Sequence, residues 1–120
     1  MQIKIESTED IRTVIDEMHD SEFEEEDFGF DSKNETFFLR SYSSKGLNKK
    51  RKEFYLEIYN VKKYNLLNLD KIKKGKATGG IFNTIDIGHT GLKLSIISQD
   101  LNIVLRLSKL KGILKIKNKK

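Results

Sequence analysis

From Phe23 to the end of the chain one pattern recurs: a short run in which apolar and polar side chains alternate, then a polar or glycine-containing turn. Phe54, Leu56 and Ile58 alternate with Tyr55, Glu57 and Tyr59 in a run from Glu53 to Val61, followed by a less regular run, Tyr64–Leu69. Ile81–Ile87 alternates again, and the turn Gly88-His-Thr-Gly91 joins it to Leu92–Ile96. Ser98-Gln-Asp-Leu-Asn102 is the next turn, before Ile103–Leu107 and, last, Ile113–Lys117. About eight such runs, roughly 8–12 residues apart, call for an antiparallel sandwich or barrel built from hairpins. A buried parallel sheet is disfavoured, because its strands would be apolar on both faces.

The N-terminal part adds one helix. Gln2–Glu6 alternates as a short strand, with Ile3 and Ile5 on one side. Ser7 and Thr8 then offer an N-cap, and Glu9 and Asp10 suit the positive end of a helix. Ile11, Val14, Ile15 and Met18 follow at i, i+3, i+4 and i+7, a stripe able to lie on a sheet. The helix should end near His19-Asp20-Ser21. Phe23–Phe30 and Thr36–Tyr42 flank the polar turn Asp31–Glu35 and read as a hairpin. The expected fold is therefore β-rich α+β: one N-terminal helix packed on an antiparallel sandwich or barrel of about eight short strands. With 120 residues, residues 1–117 form a single domain and 118–120 a disordered basic tail. A chain this long buries about two-thirds of its surface and holds a core without staples.

Several function classes drop out on composition. The chain has no cysteine, which removes disulfides, thiolate metal sites and a cysteine nucleophile. It has no apolar run near the roughly 18 residues of a membrane span. Its opening, MQIKIESTED, lacks a signal-peptide pattern, so the cytoplasm is the expected location.

The candidates for catalysis are thin. His19-Asp20 sets an imidazole beside a carboxylate, the elements of a general base or a metal ligand. A His near a helix C-terminus equally favours the negative dipole end, and His89 is the sole other histidine. His19, His89 and the acidic run 22–27 do not follow the ligand spacings of zinc or calcium sites. Lys74-Gly-Lys-Ala-Thr78 is only superficially a phosphate loop, because Asp70 stands where the first glycine belongs and Ala77 where the hydroxyl belongs. No cofactor or metal is expected, and no enzyme.

Charge is the stronger signal. The net charge of +5 conceals −9 over residues 1–44 and +14 over residues 45–120. Glu22, Glu24, Glu25, Glu26 and Asp27, with Phe28 as an aromatic anchor beside Phe23, form a patch able to occupy the basic cleft of a partner protein. The alternative is a single-stranded nucleic-acid face: Lys49, Lys50, Arg51 and Lys52 in one loop, with Lys93, Arg106, Lys115 and Lys117 on the last strands. Tyr55 and Tyr59 would supply stacking rings.

The order of features resembles the immunity protein 50-like family of small proteins that neutralise bacterial toxins. The similar stretches begin with a helix ending in Met18-His-Asp-Ser-Glu-Phe23 and a strand pair with Phe30-Asp31 and Phe37-Phe-Leu39. Phe54-Tyr-Leu-Glu-Ile58 then leads into Val61-x-x-Tyr64-x-Leu66, and the pair Leu92–Ile96 and Ile103–Leu107 completes the series. The resemblance implies a non-enzymatic β-rich protein that binds and blocks a partner, and it supplies no catalytic residues. The expected function is a protein-interaction module, with nucleic acid as the alternative partner and no membrane.

Overall fold

The computed structural model describes residues 1–43, 51–68, 80–99 and 101–119. Among the described residues there is one α-helix and ten strands. In chain order they are β1 (Gln2–Ile5), α1 (Thr8–Met18), β2 (Glu22–Phe23), a 3-10 turn (Glu25–Asp27), β3 (Phe28–Asp31), β4 (Thr36–Tyr42) and β5 (Arg51–Ile58). There follow β6 (Val61–Asn68), β7 (Gly80–Ile87), β8 (Lys93–Ser98), β9 (Leu101–Leu107) and β10 (Gly112–Lys119).

Every pairing is antiparallel, in the order β1-β10-β5-β4-β2-β7-β8-β9-β6, with β3 also on β4. One flank of β4 is shared: β3 pairs along Thr36–Leu39, and Glu22 of β2 pairs at Tyr42. β2 then hands the sheet on to β7. The sheet folds over at this short strand into two layers, β1-β10-β5-β4-β3 and β7-β8-β9-β6. Among the described residues β1 and β6 end the strand order without pairing to each other, the arrangement of a sandwich rather than of a closed barrel.

One core fills the space between. Phe37, Leu39, Phe54, Leu56, Ile58 and Leu114 come from the first layer; Phe82, Leu94, Ile96, Ile103 and Leu105 come from the second. Tyr64 of β6 bridges the layers, stacking on Phe30 at 5.2 Å and tilting against Phe37 at 6.0 Å. At about 1.5–3 kcal/mol for each large apolar side chain removed from water, this cluster dominates the folding energy.

α1 rests on β1 and β7 and buries Ile11, Val14 and Met18. Its start follows the sequence reading. Ser7 Oγ accepts from Asp10 N at 3.3 Å, and the Asp10 carboxylate accepts from Ser7 N at 3.0 Å and Glu6 N at 2.8 Å. Those bonds, led by the one from Glu6 N, hold the Asp10 carboxyl below its ordinary value. Eleven residues are too few for a stable isolated helix, so tertiary burial sustains it.

Three expectations need correction. Phe23–Phe30 is not one strand: β2 and β3 are separated by the 3-10 turn. Glu53–Val61 is cut at Asn60, whose φ of +58° turns β5 into β6. Asn118 and Lys119, expected in a disordered tail, belong to β10, with Asn118 opposite Lys52 and Lys119 opposite Arg51.

Candidate functional site

The His19-Asp20 step is a clamp between helix and sheet. α1 stops at Met18, and Asp20 takes a φ of +66° so that the chain reverses onto β7. Asp20 N donates to Phe82 O at 3.1 Å, and Phe82 N donates to Ser21 O at 2.8 Å. A carbonyl only accepts, so the 3.1 Å contact of His19 Nδ1 with Asn83 O makes Nδ1 the donor. His19 Nε2 lies 3.4 Å from Asp20 Oδ1, with both side chains about half exposed. His89 is exposed in the β7–β8 turn. Among the described residues no group of three His, Cys, Asp or Glu could hold a metal ion. The stretch 74–78 lies outside them, as do Lys49 and Lys50.

The acidic segment is a knuckle held from beneath. Phe23 and Phe28 are 3% and 8% exposed and meet edge to face at 5.8 Å. Phe28, expected to anchor a partner, is instead a core residue: it faces inward beside Leu39, its register partner on β4. Between the two rings the chain makes its 3-10 turn, where Asp27 Oδ2 accepts from Glu24 N at 2.9 Å and Asp27 N donates to Glu24 O at 3.0 Å. Glu22, Glu24 and Glu26 are exposed and Asp27 is half-buried. Nothing is described of the Glu25 side chain.

The expected basic face is split between the layers. Lys93 and Arg106 are cross-strand neighbours on β8 and β9, and Lys63 of β6 joins them opposite Arg106. Lys115 and Lys117 lie on β10, with β5, β4, β2 and β7 between them and β8.

Sequence reasoning missed the surface that the register assembles on the outer face of β10, β5 and β4. One cross-strand row reads Lys115–Tyr55–Arg40. The next reads Lys117–Glu53–Tyr42–Glu22, joining this face to the acidic knuckle. A third reads Ile113–Glu57–Phe38–Gly29. There the Phe38 ring lies on Gly29, where an added Cβ would come within 2.7 Å of it. Arg40 Nε is 3.6 Å from Glu53 Oε1, and its guanidinium carbon sits 5.9 Å from the Tyr55 ring centre. Arg40, Glu53, Tyr55, Lys115 and Lys117 line a shallow depression of about 260 Å³. Burial pushes the Tyr55 phenol up, helped by Glu57 and opposed by Arg40. Burial also raises Tyr59, with Glu57 and Tyr55 adding to it. Both phenols therefore stay neutral at physiological pH, able to donate and accept hydrogen bonds. The signal for this face was the alternation Phe38-x-Arg40-x-Tyr42 against Glu53-x-Tyr55-x-Glu57, but only the register shows that the two sets are neighbours.

No protein-family profile, curated protein or solved structure matches the chain. Among the described residues no helix is long and apolar enough to cross a membrane.

Proposed function

We propose that this chain is a non-enzymatic, cytoplasmic binding module that docks onto another protein, in the manner of the immunity proteins it resembles. Its docking surface is the outer face of β10–β5–β4 together with the acidic knuckle. The observation that carries this reading is the row Lys117–Glu53–Tyr42–Glu22, which makes one surface of an aromatic platform and a carboxylate cluster. Tyrosine and arginine are the side chains from which interface hot spots are most often built, because they bury large area at little entropic cost. Glu22, Glu24, Glu26 and Asp27 beside them suit a partner carrying a basic cleft, which they would steer into register. A single strand of nucleic acid along Lys115–Tyr55–Arg40 is the second reading. It is weaker, because Glu53 and Glu57 alternate with the tyrosines and would repel a phosphate track.

The test uses the protein encoded by the adjacent gene as the probe, titrated calorimetrically against wild type, Tyr55→Ala and the double variant Glu22→Lys/Glu26→Lys. Each variant should lose at least tenfold in affinity while keeping its melting temperature within a few degrees. Binding by both folded variants at wild-type strength would remove this surface from the interface.

A further inference from the structure

Lys63, Arg106 and Lys93 stand abreast on the outer face of the second layer, on β6, β9 and β8. All three are exposed, and none has a carboxylate partner among the described residues. Like charges placed directly opposite each other on neighbouring strands destabilise a sheet, so folding alone gives no reason for this row. The rows that follow on the same face are Asn65–Val104–Ser95 and Leu67–Asn102–Ile97. They hold no carboxylate; Asp86, opposite Ser95 on β7, is at the margin.

We infer that this row binds the phosphate backbone of a nucleic-acid duplex. With strands about 4.8 Å apart, three cations span about 10 Å, and a duplex strand presents one phosphate per roughly 3.4 Å of axis. The row therefore faces about three phosphates. Arg106, whose planar fork suits a phosphate oxygen pair, takes the middle place. The three rows carry no aromatic ring, so the face has nothing on which an unstacked base could lie. That favours a paired strand, held without sequence preference. The site is on the opposite layer from the proposed protein-docking face and does not depend on it.

Fluorescence anisotropy with a labelled 20-base-pair DNA duplex, between 50 and 200 mM salt, tests the assignment. Three phosphate contacts predict that Lys63→Gln/Arg106→Gln/Lys93→Gln lowers the slope of log K against log salt by about 2.7. Over that salt range the difference corresponds to about 40-fold in affinity. Lys4→Gln/Lys33→Gln, two exposed lysines on the other layer, should leave the slope within one unit of wild type. Arg106→Gln alone should raise the melting temperature at low salt, since it relieves two like-charge neighbours, and should still weaken duplex binding. An unchanged slope in the triple variant would overturn the inference. So would equal or tighter binding of a single-stranded oligonucleotide, or displacement of the duplex by polyglutamate at matched charge.

Discussion

Ser21 and Ser41 are 1% and 0% exposed, and the Ser21 hydroxyl donates to Ser41 Oγ at 2.9 Å. The pair lies where the end of α1, the start of β2 and the end of β4 converge. Ser21 N also donates to Met18 O at 2.9 Å, so the backbone is fixed and cannot swing the hydroxyl to water. Ser41→Ala leaves the Ser21 donor buried without its acceptor, at a cost of about 1–3 kcal/mol. For a chain of 120 residues the unfolding entropy is about 250 cal/mol/K, so each kcal/mol shifts the melting temperature by about 4 °C. Ser41→Ala should therefore melt about 4–12 °C below wild type. Ser21→Ala/Ser41→Ala removes donor and acceptor together and should recover most of that loss, because two methyls leave no polar group unpaired. Urea titrations of the four proteins, at a common m-value, give the coupling energy directly. Additive losses, with the double variant as unstable as the sum of the singles, would show that the two hydroxyls do not depend on each other.

Two further perturbations probe the frame of the docking face. Gly112 sits in β10 opposite Ile58, and a Cβ there would drive into the backbone oxygen of Glu57. Gly112→Ala should therefore cost about 1–3 kcal/mol in urea midpoint measurements by overpacking the β10–β5 seam. Asp31 organises the β3–β4 turn: its carboxylate accepts from Asn34 Nδ2 at 2.7 Å, Lys33 N at 3.1 Å and Asn34 N at 3.3 Å. The Asn34 side chain is the main reason its carboxyl stays below the ordinary 3.8. A depressed folded value contributes stability above the unfolded value and loses it as pH falls through the folded one. The melting-temperature gap between wild type and Asp31→Ala should hold above about pH 5 and close below 3.8. A gap independent of pH would mean that the charged carboxylate does not hold the turn.

How much of this was legible beforehand depends on parity. α1 was readable because cap and stripe agree: Ser7, Asp10 and Ile11-Val14-Ile15-Met18 each specify the same element. The β3–β4 hairpin was readable because Phe28 and Phe30 keep even spacing up to the turn. Where the structure departs from the simple strand reading, buried residues are separated by odd intervals. Phe23 and Phe28 would face opposite sides of one strand, and the 3-10 turn between them puts both inside. Val61 and Tyr64 both face the core because the register shifts between Val61 and Lys63. Phe82 and Ile85 do so because it shifts between Phe82 and Thr84. The sequence reading runs straight across Phe23–Phe30 and Ile81–Ile87, because residue spacing alone does not say whether a bulge, a turn or a strand end restores parity.

Cross-strand rows are a different kind of information. Glu22, Tyr42, Glu53 and Lys117 become neighbours through three separate pairings, and no local pattern encodes that. The charge division shows what this changes. Between described residues, one ion pair joins a lysine of the basic stretch to a carboxylate of the acidic one, Lys62 to Glu35 at 2.8 Å. The Arg40–Glu53 pair runs the other way, an arginine of the acidic part to a glutamate of the basic part. Among the described residues, part of each charge lies on a different layer, carboxylates at the β2 end of one and the Lys63–Arg106–Lys93 row on the other. The fold keeps a cationic row whose members repel one another, a cost that an external polyanion would relieve.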